Sequence, residues 1–214
     1  MKIFLDTANL EQIKEMAELG LVDGVTTNPS LIAKEGVDFI DRIKEICEVV
    51  KGPISAEVLS TESEEMVQEG IDLSKIDKDI VVKIPCTEEG LKATKSLKEK
   101  GIPVNMTLVF SPNQALLACK AGARYISPFV GRLDDIGHDG MEITAKCMDL
   151  ICEYSFETEV IAASIRNTSH VERAVSLGID IATIPHKVMK QLVKHPLTDI
   201  GIEKFMADWE NAKK

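Results

Sequence analysis

The sequence of 214 residues has no apolar run long enough to cross a bilayer. It has no positive balance either: 25 lysines and arginines stand against 35 acids, a formal charge of −10. That excess of acid argues against nucleic acid and anionic membranes as partners. An anionic substrate would have to find a local cationic pocket. The opening MKIFLDTANLEQ turns polar and acidic too early for a signal peptide. Five cysteines, at 47, 86, 119, 147 and 152, are odd in number and form no Cys-x-x-Cys pair. They read as reduced packing thiols of an intracellular protein, and the cytoplasm is the expected location. The four histidines lack metal-ligand spacing, so no metal and no cofactor is expected. There is no linker, low-complexity tract or close repeat, and a single domain over residues 1–214 is expected.

What does recur is a short apolar strand followed by an amphipathic helix. Strands are expected at Lys2–Asp6, Gly24–Thr27, Ile54–Val58, Ile80–Ile84, Val104–Leu108, Tyr125–Phe129, Glu159–Ala163 and Ile181–Ile184. Helices with charged outer faces lie between them, as at Glu88–Lys100 and Ser111–Ala121. Gly101 and Gly122 stand where helices end, and Asn9, Ser30, Thr61, Thr87, Ser111 and Thr168 stand where they begin. Eight such units predict an α/β fold, the closed (β/α)8 TIM barrel. They leave about 27 residues each, near the compact end for this fold. An open doubly wound sheet fits less well, because its glycine-rich first turn is replaced by Asp6-Thr7-Ala8-Asn9. A further helix is expected at about 199–213, with Ile202, Phe205, Met206 and Trp209 on one apolar stripe. That stripe packs on its own barrel, covers a barrel end or reaches a neighbouring subunit.

Lys83 lies in Ile80-Val81-Val82-Lys83-Ile84-Pro85, a run of the kind a buried strand uses. Lysine is almost never fully buried without a partner or a task. In a strand core its ammonium loses hydrating water, which disfavours the charged form. A neutral amine adds to carbonyls and yields a Schiff base. The plainer alternative is a lysine whose head reaches solvent at the sheet end.

Barrel enzymes carry their chemistry at the carboxyl ends of the strands. Asp6 ends the first strand, the second runs into Thr26-Thr27-Asn28-Pro29-Ser30, the third carries Glu57 and the fifth Thr107. The sixth leads into Ser127-Pro128-Phe129-Val130-Gly131-Arg132, the seventh into Ser164-Ile165-Arg166-Asn167, and the eighth ends in Pro185-His186. Each has a plainer job. Asp6 suits a helix start, Thr26 to Ser30 a turn and cap, Glu57 an ion pair with Lys83, and Thr107 any strand. Arg132 suits a surface pair with Asp134 or Asp135, and Ser164 and Arg166 an ordinary loop. Two acids, a lysine, two arginines and several hydroxyls at one end of a barrel are together better explained as a site. The lysine would form an imine with a ketone, and the protonated imine would act as an electron sink. Asp6 or Glu57 would take the proton of the hydroxyl on the far carbon as the carbon–carbon bond breaks. Arg132 and Arg166, with Ser164, have the chemistry of a phosphate clamp. Metal-dependent aldol chemistry would need histidines near strand ends, and only His186 is so placed.

FLDTAN, DGVTTNPSL, VVKIP, NMTLVF, YISPFVGRLDD and AASIRN resemble the transaldolase family, specifically its short single-barrel members, from Met1 to Trp209. The resemblance implies transfer of a dihydroxyacetone unit between phosphosugars in the non-oxidative pentose phosphate pathway. On the matching motifs Lys83 resembles the family's Schiff-base lysine and Asp6 its acid–base residue. Glu57 and Thr107 resemble the pair that holds a catalytic water. Asn28 and Ser127 resemble the residues that hold the dihydroxyacetone unit, with Thr26 lining the same site. Arg132, Ser164 and Arg166 resemble the phosphate contacts. Short members form ring-based homo-oligomers, often decamers, with the terminal helix engaging a neighbour. The related fructose 6-phosphate aldolases share barrel and lysine but release free dihydroxyacetone. In them a glutamine resembles the Glu57 position, a tyrosine the Phe129 position and a lysine the second cation, so all three residues here point to transaldolase. A phosphosugar-binding barrel without catalysis would need the cations but not the lysine and two acids. A barrel isomerase would need an acid–base pair and no imine.

Overall fold

The structure is a computed structural model that describes residues 1–213. In chain order the elements are β1 (Lys2–Asp6), α1 (Leu10–Glu18), β2 (Gly24–Thr26), α2 (Pro29–Glu35), α3 (Phe39–Val49), β3 (Ile54–Glu57), α4 (Ser63–Ser74), β4 (Ile80–Pro85) and α5 (Glu88–Glu99). They continue with β5 (Val104–Val109), α6 (Pro112–Ala121), β6 (Tyr125–Pro128), α7 (Val130–Asp134), α8 (Gly140–Glu153), β7 (Glu159–Ala162), α9 (Thr168–Ser176), β8 (Ile181–Ile184), α10 (His186–Leu192) and α11 (Pro196–Ala212). All strand pairings are parallel, and β1 pairs with β8 to close the barrel. Every expected strand is present, with ends within one residue of those read from the pattern.

The strands alternate between two kinds of core. Outward residues such as Leu5, Val25, Ile54, Val82, Met106 and Ile184 are fully buried against the helix ring. Each such side chain contributes roughly 1.5–3 kcal/mol by leaving water. Inward residues form the barrel interior. Its lower layer is Phe4, Val81, Tyr125, Ile161 and Ile181, none more than 5% exposed. The rings of Phe4 and Tyr125 meet edge to face at 6.3 Å. Gly24 makes room for them, because a Cβ there would lie 2.7 Å from the Phe4 ring.

The helix starts are more varied than expected. Asn9, Thr87 and Ser111 cap α1, α5 and α6 by accepting from Gln12, Gly90 and Gln114 N–H groups. At α2 the cap is Asn28 rather than Ser30, because Pro29 with its fixed φ already occupies the first turn. At α9 it is Asn167 rather than Thr168. No side chain caps α4 at Glu62 or Thr61; instead Glu89 of α5 accepts from the Ser63 N–H at 3.3 Å. Gly122 caps α6 at φ 91, and Gly101, at φ 74, stands one residue beyond the α5 cap at Lys100.

Helix α11 begins at Pro196, three residues before the expected start, since proline suits a first turn and the His195 ring accepts from the Leu197 N–H. None of its residues is buried, and Ile202, Phe205, Met206 and Trp209 are 56–73% exposed. Packing of this stripe onto its own barrel is therefore not what the structure shows.

Candidate active site

The two-residue alternation that puts Phe4, Val81, Tyr125, Ile161 and Ile181 on the barrel floor puts Asp6, Lys83, Ser127, Ala163 and Thr183 one layer above it. Thr26, Thr107 and Asn28 join them around a cavity of about 140 Å³ at the carboxyl ends of the strands. Phe129, Arg132 and Ser164 complete its wall. A wider open groove near Lys98, Cys119, Arg124 and Thr158 contains none of these side chains.

Lys83 is 6% exposed. Its Nζ lies 3.0 Å from Glu57 Oε2 and donates to the Thr27 carbonyl at 3.0 Å. The pairing of β3 with β4 sets Glu57 directly beside Lys83. The ammonium thus has two acceptors, one of which can carry away its proton. Asp6 accepts from Thr26 Oγ1 at 3.0 Å. Burial raises the Asp6 carboxyl above the ordinary carboxylate range, against opposite pulls from the Lys83 charge and the Thr26 hydrogen bond. Asp6 is not a helix cap; that work belongs to Asn9.

Thr107 is fully buried, and its Oγ1 has no hydrogen-bond partner. Such an orphan is costly in a dry interior, and it faces the cavity that Lys83 faces. Just after it the β5–β6 register shifts, and Leu108 sits at φ 57, a left-handed conformation that costs a non-glycine residue about 1–3 kcal/mol. Ser127 donates to Asn105 Oδ1 at 2.8 Å, and Asn105 Nδ2 donates to Ser55 Oγ at 3.1 Å. The Ser127 hydrogen is therefore spent, and its lone pairs remain for a ligand hydroxyl. Asn28 is the converse: its Oδ1 caps α2 and leaves the amide N–H₂ as a donor.

On the far wall the Arg132 guanidinium stacks 5.0 Å from the Phe129 ring, which also packs edge to face on Phe110 at 5.8 Å. Ser164 stands at φ 58. Gly131 lies so close that a Cβ would fall 2.4 Å from the Ser164 carbonyl and 2.7 Å from Arg166 Nε. Arg166 itself does not line the cavity; half-exposed, it donates to Asp135 at 2.7 Å. Glu57 lies outside the lining too, and reaches the site through Lys83.

His186, the one histidine next to a strand end, pairs with Glu15 of α1 at 2.7 Å and is absent from the cavity wall. Among the described residues no group of three or more histidine, cysteine or acidic side chains could hold a metal. Between α7 and α8, Asp139 caps α8 and binds Arg173 at 2.9 Å, and Asp134 accepts from the Gly140 N–H. Sequence reasoning missed Thr183 and Asn105. Both are polar residues at inward strand positions: Asn105 lies two residues below Thr107 on β5, and Thr183 two above the inward Ile181 on β8.

A buried amine beside one carboxylate, a second carboxylate across the cavity and an arginine at the rim form a setting for imine-based carbon–carbon chemistry on an anionic carbonyl compound. The model of the family "Transaldolase/Fructose-6-phosphate aldolase" matches residues 3–214. A probable transaldolase of Thermodesulfovibrio yellowstonii is 60% identical over 214 residues, the whole of both chains. One of Syntrophobacter fumaroxidans is 59% identical over 218 aligned positions, covering all of this chain and 99% of the other. The probable transaldolase 1 of Bacillus cereus is 58% identical, again over both full lengths.

Proposed function

This chain belongs to the transaldolase/fructose-6-phosphate aldolase family, and from that premise we propose that it is a transaldolase. It moves a dihydroxyacetone unit from sedoheptulose 7-phosphate to glyceraldehyde 3-phosphate, giving erythrose 4-phosphate and fructose 6-phosphate, in the non-oxidative pentose phosphate pathway. The observation that carries the reading is the Lys83 amine, buried and 3.0 Å from Glu57, in one cavity with Asp6 and the unpartnered Thr107 hydroxyl.

Glu57 takes the ammonium proton, and the neutral Lys83 amine adds to the ketone carbon of the donor sugar. Glu57 and Thr107 hold the water that leaves as the imine forms. Asp6 then removes the proton from the hydroxyl on the far carbon of the bond to be cleaved; that carbon becomes the aldehyde, and the bond's electrons flow into the iminium. The shortened aldose departs. Asn28 and Ser127, with Thr26 beside them, hold the remaining three-carbon enamine. The acceptor aldehyde enters, and the same groups act in reverse. Arg132, Ser164 and Arg166 bind the phosphate, with Asp135 giving up Arg166 when the anion arrives. In this reading the chain forms one domain from 1 to 214 and works in the cytoplasm. It assembles as a ring-based homo-oligomer, possible decamers included, in which the uncovered stripe of α11 meets a neighbouring copy. No cofactor enters the cycle.

A coupled assay that compares sugar transfer with release of free dihydroxyacetone tests the activity. Transfer should predominate, and release of dihydroxyacetone as the main product would assign the chain to the aldolase branch. The reason lies in Phe129, which has no hydroxyl to deliver a proton to the enamine. Phe129→Tyr should therefore raise the share of free dihydroxyacetone, and an unchanged ratio of cleavage to transfer would reject that role.

The two arginines should differ. Both are exposed, but Arg132 lines the cavity whereas Arg166 stands outside its lining and is already paired. Solvent screens an exposed charge contact to about 1 kcal/mol or less. Arg132→Ala should raise KM for fructose 6-phosphate about fivefold, and Arg166→Ala by less, because Asp135 competes for it. Unphosphorylated fructose should show neither effect. Equal losses with both sugars would remove the phosphate assignment.

A further inference from the structure

Thr183 takes no part in the steps above, yet it lines the cavity from β8 and is 3% exposed. Strand registers set Thr183 beside Phe4 and Thr26 beside Asp6, so β1 runs between the two threonines. Their hydroxyls meet inside the barrel: Thr183 Oγ1 lies 2.5 Å from Thr26 Oγ1, and Thr26 Oγ1 lies 3.0 Å from Asp6 Oδ1.

Each threonine hydroxyl has a single hydrogen, and an ionised carboxylate only accepts. While Asp6 is charged, the Thr26 hydrogen goes to Asp6. The short contact then has to use the Thr183 hydrogen and a Thr26 lone pair. When Asp6 has gained a proton it becomes a donor, and both hydroxyls can turn. The chain then runs from Asp6 through Thr26 to Thr183. We propose that Thr183 is a positioning residue that acts on Asp6 through Thr26, donating to Thr26 while Asp6 is ionised and accepting from it when Asp6 is protonated. The acid–base group so keeps a satisfied partner in both halves of the cycle, and each bond in the chain polarises the next.

Other charges around Asp6 do not replace this chain. Lys83 on β4 acts on Asp6 through its charge and is itself bound to Glu57 of β3. Arg132 of α7 shares the cavity wall. On the neighbouring helices Glu15 of α1 is held by His186 and Lys190 of α10. The Thr26 bond lowers the Asp6 carboxyl against the effect of burial. Without Thr183 that bond weakens and the carboxyl moves up.

The inference rests on Asp6 being the acid–base group, and the experiment separates the two. The pH dependence of kcat/KM is measured for the whole protein, Thr183→Val, Thr183→Ala, Thr183→Ser and Asp6→Asn, alongside ¹³C titration of the Asp6 carboxyl in the first four. Valine keeps the shape, but its methyl cannot approach an oxygen to 2.5 Å. Alanine removes that crowding. The acid limb in both variants should move up by about half to one pH unit, as expected for losing one hydrogen bond's worth of support. Activity below the limb should fall about three- to tenfold, with little change in KM on the plateau. The Asp6 titration should follow, and serine should restore both. Wild-type limb and titration in the alanine and valine variants overturn the proposal, as does a serine variant displaced as far as alanine. Asp6→Asn with its turnover and acid limb intact overturns the role of Asp6, while the carboxyl titration still reports whether Thr183 acts on it.

Discussion

Lys83→Ala should leave no measurable sugar transfer, and with it should vanish the adduct that borohydride traps from fructose 6-phosphate. Alanine's side chain has no nitrogen to add to the ketone, and no other lysine among the described residues lines the cavity. Mass spectrometry of the reduced wild-type protein should locate the adduct on the peptide that contains Lys83, whereas a pure phosphosugar binder or an isomerase would give none. The variant should also melt lower. The side chains of Lys83 and Glu57 are 8% and 17% exposed, and removing one member of a buried pair strands the other. Such stranding typically costs about 3–5 kcal/mol at fully buried pairs. Circular dichroism would establish that the fold persists at the assay temperature. A folded variant that still turns over and still traps would end the imine mechanism.

Asp6→Asn should have the second largest effect, and it should split function from stability. Turnover should fall about 10²–10⁴-fold, the usual contribution of a positioned acid–base group. The trapped adduct at Lys83 should still form, because imine formation uses Glu57 and Thr107. At pH 7 the same variant should melt higher than the wild type. Burial is the largest influence on this carboxyl and raises its pKa. The folded protein thus holds the Asp6 proton more tightly than the unfolded chain, whose aspartates titrate at about 3.9. Between those two values stability declines as pH rises, and above the folded value the whole cost is present. Asparagine has no charge to desolvate, so its advantage should be larger at pH 7 than at pH 4, where little of it remains. Melting curves at the two pH values measure this. A variant that melts at or below the wild type at pH 7 would show that the attraction of Lys83 outweighs burial.

The barrel was legible because eight short, largely apolar runs such as Ile80–Ile84 and Ile181–Ile184 alternate with amphipathic helical patterns. Helix starts were less legible. Ser30 and Thr168 each stand within two residues of an asparagine of equal capping ability, and only the exact exit of the strand chooses between them. Glu89 serving the start of α4 is a contact between helices that no local pattern contains. For the site, residues at strand ends were readable one by one, while what binds what was not. Arg166 looked equivalent to Arg132 until Asp135 was seen to hold it. Thr183 was hidden because it lies one step inside the end of its strand. Its identity as a threonine is ordinary there, and only its neighbour across β1 gives it meaning.

The plug of Phe4, Val81, Tyr125, Ile161 and Ile181 turns the barrel into a blind well. Two sugars cannot pass through from opposite sides, so a single doorway must serve every arrival and departure. The first aldose has to leave before the second can come in, and the three-carbon fragment waits at the bottom during the changeover. Turn-taking between the two partners is therefore built into the architecture.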